Sequence, residues 1–214
     1  ELKVTGYPTF NGPYELGDAL VNAGFDVVLH SNNHALDRGK QGIYNCLNFW
    51  KKYPKIKTVG INTSEAQKKK LCIYKKNGIK VAILNYTYGT NGIPLPKGMP
   101  YAVNYLVKDE VINDIKRAEK EADFTIVCPH WGTEYFRGIS DYQKIWSKIF
   151  VENGVDLVLG AHPHVIEPIK YVTDKKTGDK MLVYYSVGNF VNSTMSNGRV
   201  SDRYIGGLAK VKLK

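Results

Sequence analysis

The 214-residue chain holds five histidines, and each stands where a run of apolar residues stops. His30 and His34 follow Val27-Val28-Leu29, and His130 closes Ile126-Val127-Cys128-Pro129. His162 and His164 follow Leu157-Val158-Leu159-Gly160-Ala161. Histidines scattered for structural reasons would not share this bias. The chemistry it suggests is metal binding: His162-Pro163-His164 sets two imidazoles at i and i+2, which in extended chain point to the same side. Asn33 offers a carbonyl oxygen beside them. A mixed nitrogen and oxygen set suits manganese, iron or zinc better than calcium or magnesium, and the lack of nearby thiolates argues against a structural zinc. No His-Glu-x-x-His sequence is present, so the zinc-protease helix is excluded. Asp37 and Glu134 each lie a few residues beyond a histidine motif, where they are either carboxylates that orient imidazoles or solvated loop acids. Ser140 and Ser186 lack a positioned His–acid pair, which sets a serine hydrolase aside. Gly188-Asn189-Phe190 reads as a backbone turn lining a pocket.

The elements that must carry these residues are those of an α/β chain. Leu16, Ala19, Leu20 and Ala23 recur at helical spacing, as do Val111, Ile112, Ile115 and Ala118. Further helices are expected over 41–52, burying Ile43, Leu47 and Trp50, and over 141–153, with Ile145, Trp146, Ile149 and Phe150 on one face. Short unbroken apolar runs follow three of the helices, at 25–29, 124–127 and 155–159. Such runs fit strands buried on both faces, as in a parallel sheet. Strands of a parallel sheet share a direction, so their carboxyl ends, and the histidines, line one edge where ligand sites form. Asn77-Gly78 between 71–74 and 81–84 signals a hairpin, and Thr177-Gly178-Asp179 signals another. Residues 87–105, rich in proline and glycine, read as an irregular excursion beside the sheet. No repeat or linker is evident, so residues 1–214 are expected to form a single domain.

Composition excludes several classes. Hydrophobic residues at 43% and charged residues at 23% are globular values, not those of a disordered chain. No apolar run approaches the ~18 residues of a membrane span, and the first residues show no signal sequence. Cys46, Cys72 and Cys128 lack the spacing of a disulfide framework or a thiolate zinc site. Thirty basic and twenty acidic residues give +10, and +9 of it falls between Lys51 and Lys80, with ten lysines against Glu65. That stretch, with Lys68, Lys69 and Lys70 at its densest, is either a solvated lysine-rich face or a seat for an anionic polymer. It holds no arginine and only Tyr53 and Tyr74 as aromatics, so no nucleic acid is expected.

Four motifs in order then carry a resemblance. They are Asn32-Asn33-His34-Ala35-Leu36-Asp37, His130-Trp131-Gly132-Thr133-Glu134-Tyr135, Gly160-Ala161-His162-Pro163-His164-Val165 and Tyr185-Ser186-Val187-Gly188-Asn189-Phe190. Together they resemble the bacterial capsule-synthesis family, the CapA-like proteins of poly-γ-glutamate capsule biosynthesis, over about residues 7–208. That family is similar in turn to the calcineurin-like metallophosphoesterases. The resemblance implies a sandwich of two mixed β-sheets flanked by helices and a metal-dependent phosphoesterase-like site. It implies one or two divalent transition metals (Mn, Fe or Zn), with Asn33, His130, His162 and His164 as ligands and His34 as the proton donor to the leaving group. His30 falls where the family has an apolar residue and is left out. Relatives carry an earlier strand ending in Gly-Asp and a later Asn-Leu-Glu-like segment, whose acids are the first metal ligands. The amino-terminal strand or strands are therefore expected to be missing from this chain, leaving the site incomplete unless another chain supplies them. The implied role is capsule synthesis or export at the extracellular face of the cell membrane, on an anionic polymer or phosphoester, with other membrane components of the capsule machinery. The alternative is a non-catalytic polyanion-binding or assembly component that uses the Lys51–Lys80 stretch.

Overall fold

The structure, a computed structural model, describes residues 3–192 and 202–213. Its elements are α1 (Tyr14–Asn22), β1 (Val27–Leu29), α2 (Gly39–Trp50), β2 (Lys57–Val59), α3 (Glu65–Lys69), β3 (Cys72–Lys76) and β4 (Ile79–Thr87). They continue with α4 (Lys108–Glu121), β5 (Phe124–His130), α5 (Asp141–Val151), β6 (Leu157–Leu159), β7 (Ile169–Thr173), β8 (Lys180–Tyr184) and a 3-10 turn at Asp202–Tyr204. The chain divides into two compact units, and the division falls within β4. Unit 1 takes the residues up to Cys72 and Ile83–Val107; unit 2 takes Ile73–Ala82 and the residues from Lys108 onward. Among the described residues, no helix is long and apolar enough to cross a membrane.

Unit 1 is built on a parallel pair, Val27 opposite Lys57 and Leu29 opposite Val59, joined through α2. A parallel pair needs such a crossover. Helix α2 buries Ile43, Leu47, Phe49 and Trp50. Ile43 and Leu47 meet Leu36, Ile61, Met99, Ala102 and Val103, so the irregular 87–105 stretch forms one wall of this core. Helix α1 buries no residue: its Leu16 and Leu20, with Phe49 and Trp50, border a cavity of about 450 Å³.

Unit 2 carries a six-stranded mixed sheet in the order β3-β4-β5-β6-β8-β7. Strand β6 runs parallel to β5 and to β8, while β7 is antiparallel to β8. Asn77 (φ 52°) and Gly78 (φ 85°) turn β3 into β4, and two successive positive φ values are what a tight two-residue hairpin requires. Helix α4 seals the sheet with Val111, Ile115 and Ala118. Helix α5 departs from the sequence expectation: its buried stripe is Gln143, Trp146, Ser147, Phe150 and Val151, and Ile145 is exposed. A glutamine and a serine thus take places that an apolar pattern assigns to isoleucines. The expected α/β class, with a mixed sheet flanked by helices, is the class observed.

Candidate metal centre

Three loop segments of unit 2 meet beyond the ends of β5, β6 and β8. His130 bridges in parallel to Ala161; Trp131 N donates to Ala161 O (3.0 Å), and Ala161 N to Pro129 O (3.0 Å). Tyr135 N donates to Pro163 O (2.8 Å), which ties the loop after His130 to the His162–His164 turn. Beneath these loops Trp131 is fully buried, with Nε1 donating to Tyr185 O (2.9 Å). Gly160 passes so close to this point that a Cβ on it would lie 2.0 Å from Tyr185 O. No other residue type leaves room for that crossing.

The arrangement brings a ligand atom of Glu134, His162 and His164 within 4.8 Å of one another. The His130 and His162 ring centroids are 4.8 Å apart, and those of His162 and His164 6.1 Å. Two ligands each ~2.1 Å from one ion can be no more than ~4.2 Å apart, so loading the group requires closure of a few tenths of an ångström. The two histidines do not converge by the extended-chain route expected from their spacing. His162 (φ 106°) and His164 (φ 61°) both lie in the left-handed region, so a kinked backbone rather than a strand aims the rings.

Asn189 fixes one of those rings. Its Nδ2 donates to Arg203 O (3.0 Å), so its Oδ1 is the atom facing His164 Nδ1 at 2.8 Å. An amide oxygen accepts, so His164 carries its proton on Nδ1 and presents Nε2 as a lone pair. Tyr135 stacks on the same ring (5.6 Å), with the Arg203 guanidinium over the tyrosine. The donor set is imidazole plus carboxylate without a thiolate, the chemistry of manganese, iron or zinc. The residues present therefore fit such a cation. Glu134, expected to orient an imidazole or to be solvated, has its carboxylate among the ligand atoms themselves.

Unit 1 holds a cluster of its own. His34 Nδ1 lies 2.7 Å from Asp37 Oδ2, the same oxygen that accepts from Phe10 N (2.7 Å). Asp37's side chain is 3% exposed and His34's 31%, so the carboxylate is enclosed while the ring reaches solvent. A carboxylate accepts, so Nδ1–H of His34 is given to Asp37 and Nε2 is the ring's other nitrogen. Asn33 is buried, with Nδ2 donating to Asn91 Oδ1 (3.2 Å). His30 packs against Cys46 and Trp50, and burial pulls its pKa down to about 4; it is a neutral interior histidine. Lys68 and Lys69 end the short helix α3, capped by Ser64, and Lys70 follows it. Of the ten lysines from Lys51 to Lys80, seven (51, 52, 55, 57, 68, 69 and 70) belong to unit 1 and three (75, 76 and 80) to unit 2.

Sequence reasoning missed Gln143 and Glu167, both buried below the unit 2 loops and hydrogen-bonded to each other at 2.6 Å. Polar residue types in an amphipathic helix and a loop gave no signal of burial.

The family model for "Bacterial capsule synthesis protein PGA_cap" matches residues 1–194. The chain belongs to that family. It is 35% identical over 174 residues to the PGA biosynthesis protein CapA of Bacillus subtilis (strain 168), covering 80% of this chain and 44% of that protein. It is 30% identical over 178 residues to the capsule biosynthesis protein CapA of Bacillus anthracis, covering 81% and 41%. This capsule-synthesis chain thus spans less than half the length of either relative. Among solved structures, the NAD nucleotidase (NadN) of Haemophilus influenzae superposes with a TM-score of 0.52 at 16% identity, covering 77% of this chain and 34% of that one. That likeness shows a shared fold, of the metallophosphoesterase type that the sequence resemblance implied.

Proposed function

We propose that this capsule-synthesis chain is the metal-dependent, phosphoesterase-like part of a protein that makes or exports a poly-γ-glutamate-type capsule. Family membership supports the capsule role, and the B. subtilis relative's description supports the polymer. The place of action that goes with it is the outer face of the cell membrane, among membrane components of the capsule machinery. The observation that carries the metal reading is the gathering of Glu134, His162 and His164, with His130 against His162.

In this reading Glu134, His130, His162 and His164 hold the cation, and Asn189 keeps His164 in the tautomer that presents Nε2. A divalent manganese, iron or zinc bound there polarises a phosphoryl oxygen and lowers the pKa of water. By the family resemblance Asn33 adds an oxygen ligand and His34 gives a proton to the leaving alkoxide. Asp37 suits His34 to that task, since its enclosed carboxylate on Nδ1 fixes the ring's orientation and leaves Nε2 as the nitrogen that faces the leaving group. The deciding experiment is metal analysis of the complete protein and its hydrolysis of bis(p-nitrophenyl) phosphate, before and after His162→Ala. Metal and activity that both fall in the variant support the reading; a protein with neither rejects it. His34→Gln separates the roles: it should leave the metal content and remove the turnover.

A second reading is favoured by the exposure of Lys51, Lys52, Lys55, Lys57, Lys69 and Lys70 in unit 1. There the chain would hold polyglutamate as an assembly component without cutting anything. Binding that weakens steeply as salt rises and disappears on changing Lys68, Lys69 and Lys70 to glutamine supports it; salt-insensitive binding refutes it.

A further inference from the structure

Glu167 is 2% exposed, and one of its carboxylate oxygens, Oε1, is buried with no hydrogen-bond partner among the described residues. A buried unsatisfied acid is costly, and burial pushes this one up to about 7. Its other oxygen, Oε2, accepts from Gln143 Nε2 at 2.6 Å. Gln143 is itself fully buried on the first turn of α5, where its Oε1 accepts from Ser140 N (2.9 Å) and Ser140 Oγ (3.0 Å) in a capping box. Capping alone does not explain the pair, because a capping glutamine serves equally well on the surface.

The position of the amide does explain it. A Cβ on Gly132 would stand 2.7 Å from Gln143 Nε2 and 3.1 Å from Pro163 Cγ. The glutamine amide therefore lies against the backbone midway between His130 and Glu134, at the point where that loop touches the proline between His162 and His164. Glu167, three residues beyond His164, holds the amide from the other side, and its own N–H donates to Ser186 O (3.2 Å). One buried hydrogen bond thus backs the two loops that carry the candidate ligands from beneath, beside their direct ties at Ala161 and Pro163.

We propose that Gln143 and Glu167 are positioning residues, a buried clamp that sets the separation of the His130–Glu134 loop from the His162–His164 loop and thereby the cation affinity of the site. This rests on the metal reading above. Groups hydrogen-bonded directly to metal ligands change affinity by about 10- to 100-fold when removed. This pair acts one step further back, through Gly132 and Pro163, so Gln143→Met and Glu167→Leu, which keep volume and remove the bond, should reach the lower end of that range. The exchanged pair, Gln143→Glu with Glu167→Gln, restores a donor and an acceptor in reversed order and keeps the Ser140 cap.

The test is calorimetric titration of the complete protein with Mn2+ and with Zn2+, alongside thermal melts of each variant without metal. The expected result is a Kd raised at least about tenfold in each single variant and brought back to within about threefold of wild type in the exchanged pair. Single variants that bind as tightly as wild type overturn the clamp while leaving the metal reading in place. So does an exchanged pair that melts like wild type yet stays as weak as the singles. A wild-type protein that binds neither ion overturns the metal reading, and the clamp with it. Should one single variant fail to fold, the other single variant, set against the exchanged pair, decides the matter by its affinity.

Discussion

Replacing Gly160 by alanine tests the packing on which the site stands. The φ of Gly160 lies outside the left-handed region, so the added methyl meets no backbone penalty and its effect is steric. It would stand 2.0 Å from Tyr185 O and 2.5 Å from Trp131 Nε1, where ordinary contact is above 3.4 Å. Either β6 or the Tyr185 segment must retreat by roughly 1 Å, and overpacking of that kind costs about 1–3 kcal/mol. Three hydrogen bonds cross the same point: Gly160 N to Tyr184 O (2.8 Å), Val187 N to Gly160 O (3.3 Å) and Trp131 Nε1 to Tyr185 O (2.9 Å). Losing two of them adds ~2 kcal/mol, for a total of about 3–5 kcal/mol out of the ~5–15 kcal/mol that hold a domain together. In urea, with a slope of ~2–3 kcal/mol/M, the unfolding midpoint should fall by about 1–2.5 M. Gly89→Ala is the control, because nothing lies within 4 Å of a Cβ there and no positive φ is involved; it should stay within ~0.5 kcal/mol of wild type. A Gly160→Ala protein as stable as that control would refute the close-crossing account of how the His162 loop is held.

Asn189→Ala frees the His164 ring and should weaken Zn2+ binding by about tenfold or more, while Asn192→Ala, which also loses a bond to Arg203 O, should not; equal effects would show that Arg203 and not the ring is what matters. Burial raises the Glu167 pKa to about 7, so the folded state holds a proton that the unfolded state has already released above pH ~4.5. Metal-free stability should then fall as pH rises from about 4.5 to 7, by no more than ~3.5 kcal/mol at ~1.4 kcal/mol per unit, and Glu167→Gln should flatten that slope; parallel pH–stability curves would contradict the assignment. At His162, where φ is 106°, glycine should be more stable than alanine by about 1 kcal/mol although both lose the ligand, the reverse of their order at an ordinary extended position.

What the sequence disclosed and what it hid divide on physical lines. Strands β5 and β6 were readable because burial on both faces demands unbroken apolar runs, and the Asn77-Gly78 turn because few residue types accept its φ values. Strand β2 was not read: Lys57-Thr58-Val59 is three residues with an exposed lysine, too short for any period to show. Helix α3 is a five-residue segment that its Ser64 cap supports rather than an apolar stripe. Around the site, ring types and their places at strand ends pointed to the histidines. Their convergence was expected from an extended His-x-His, and it comes instead from two left-handed residues, a conformation open to histidine but not marked by the His-Pro-His sequence. Gln143 and Glu167 were invisible because polar residues inside a core look, in sequence, like residues outside it.

Five non-glycine residues have positive φ among the described ones, and they fall into two kinds. Asn77 and Asn91 are asparagines in turns, a residue type that tolerates this region. Tyr135, His162 and His164 all lie in the two loops of the candidate centre. Histidine enters the αL well more readily than most residues, but His162 at φ 106° stands beyond that well and Tyr135 is not of a tolerant type, so these two carry ~1–3 kcal/mol of strain each. Glycine would relieve the backbone at each position, so backbone conformation alone gives no reason for an imidazole there. The strain persists because the loops are cross-tied, by Tyr135 N to Pro163 O, by the paired bonds at Ala161 and by Asn189 on His164. Two imidazole rings held on such a backbone beside a carboxylate and a further imidazole support the proposed cation site.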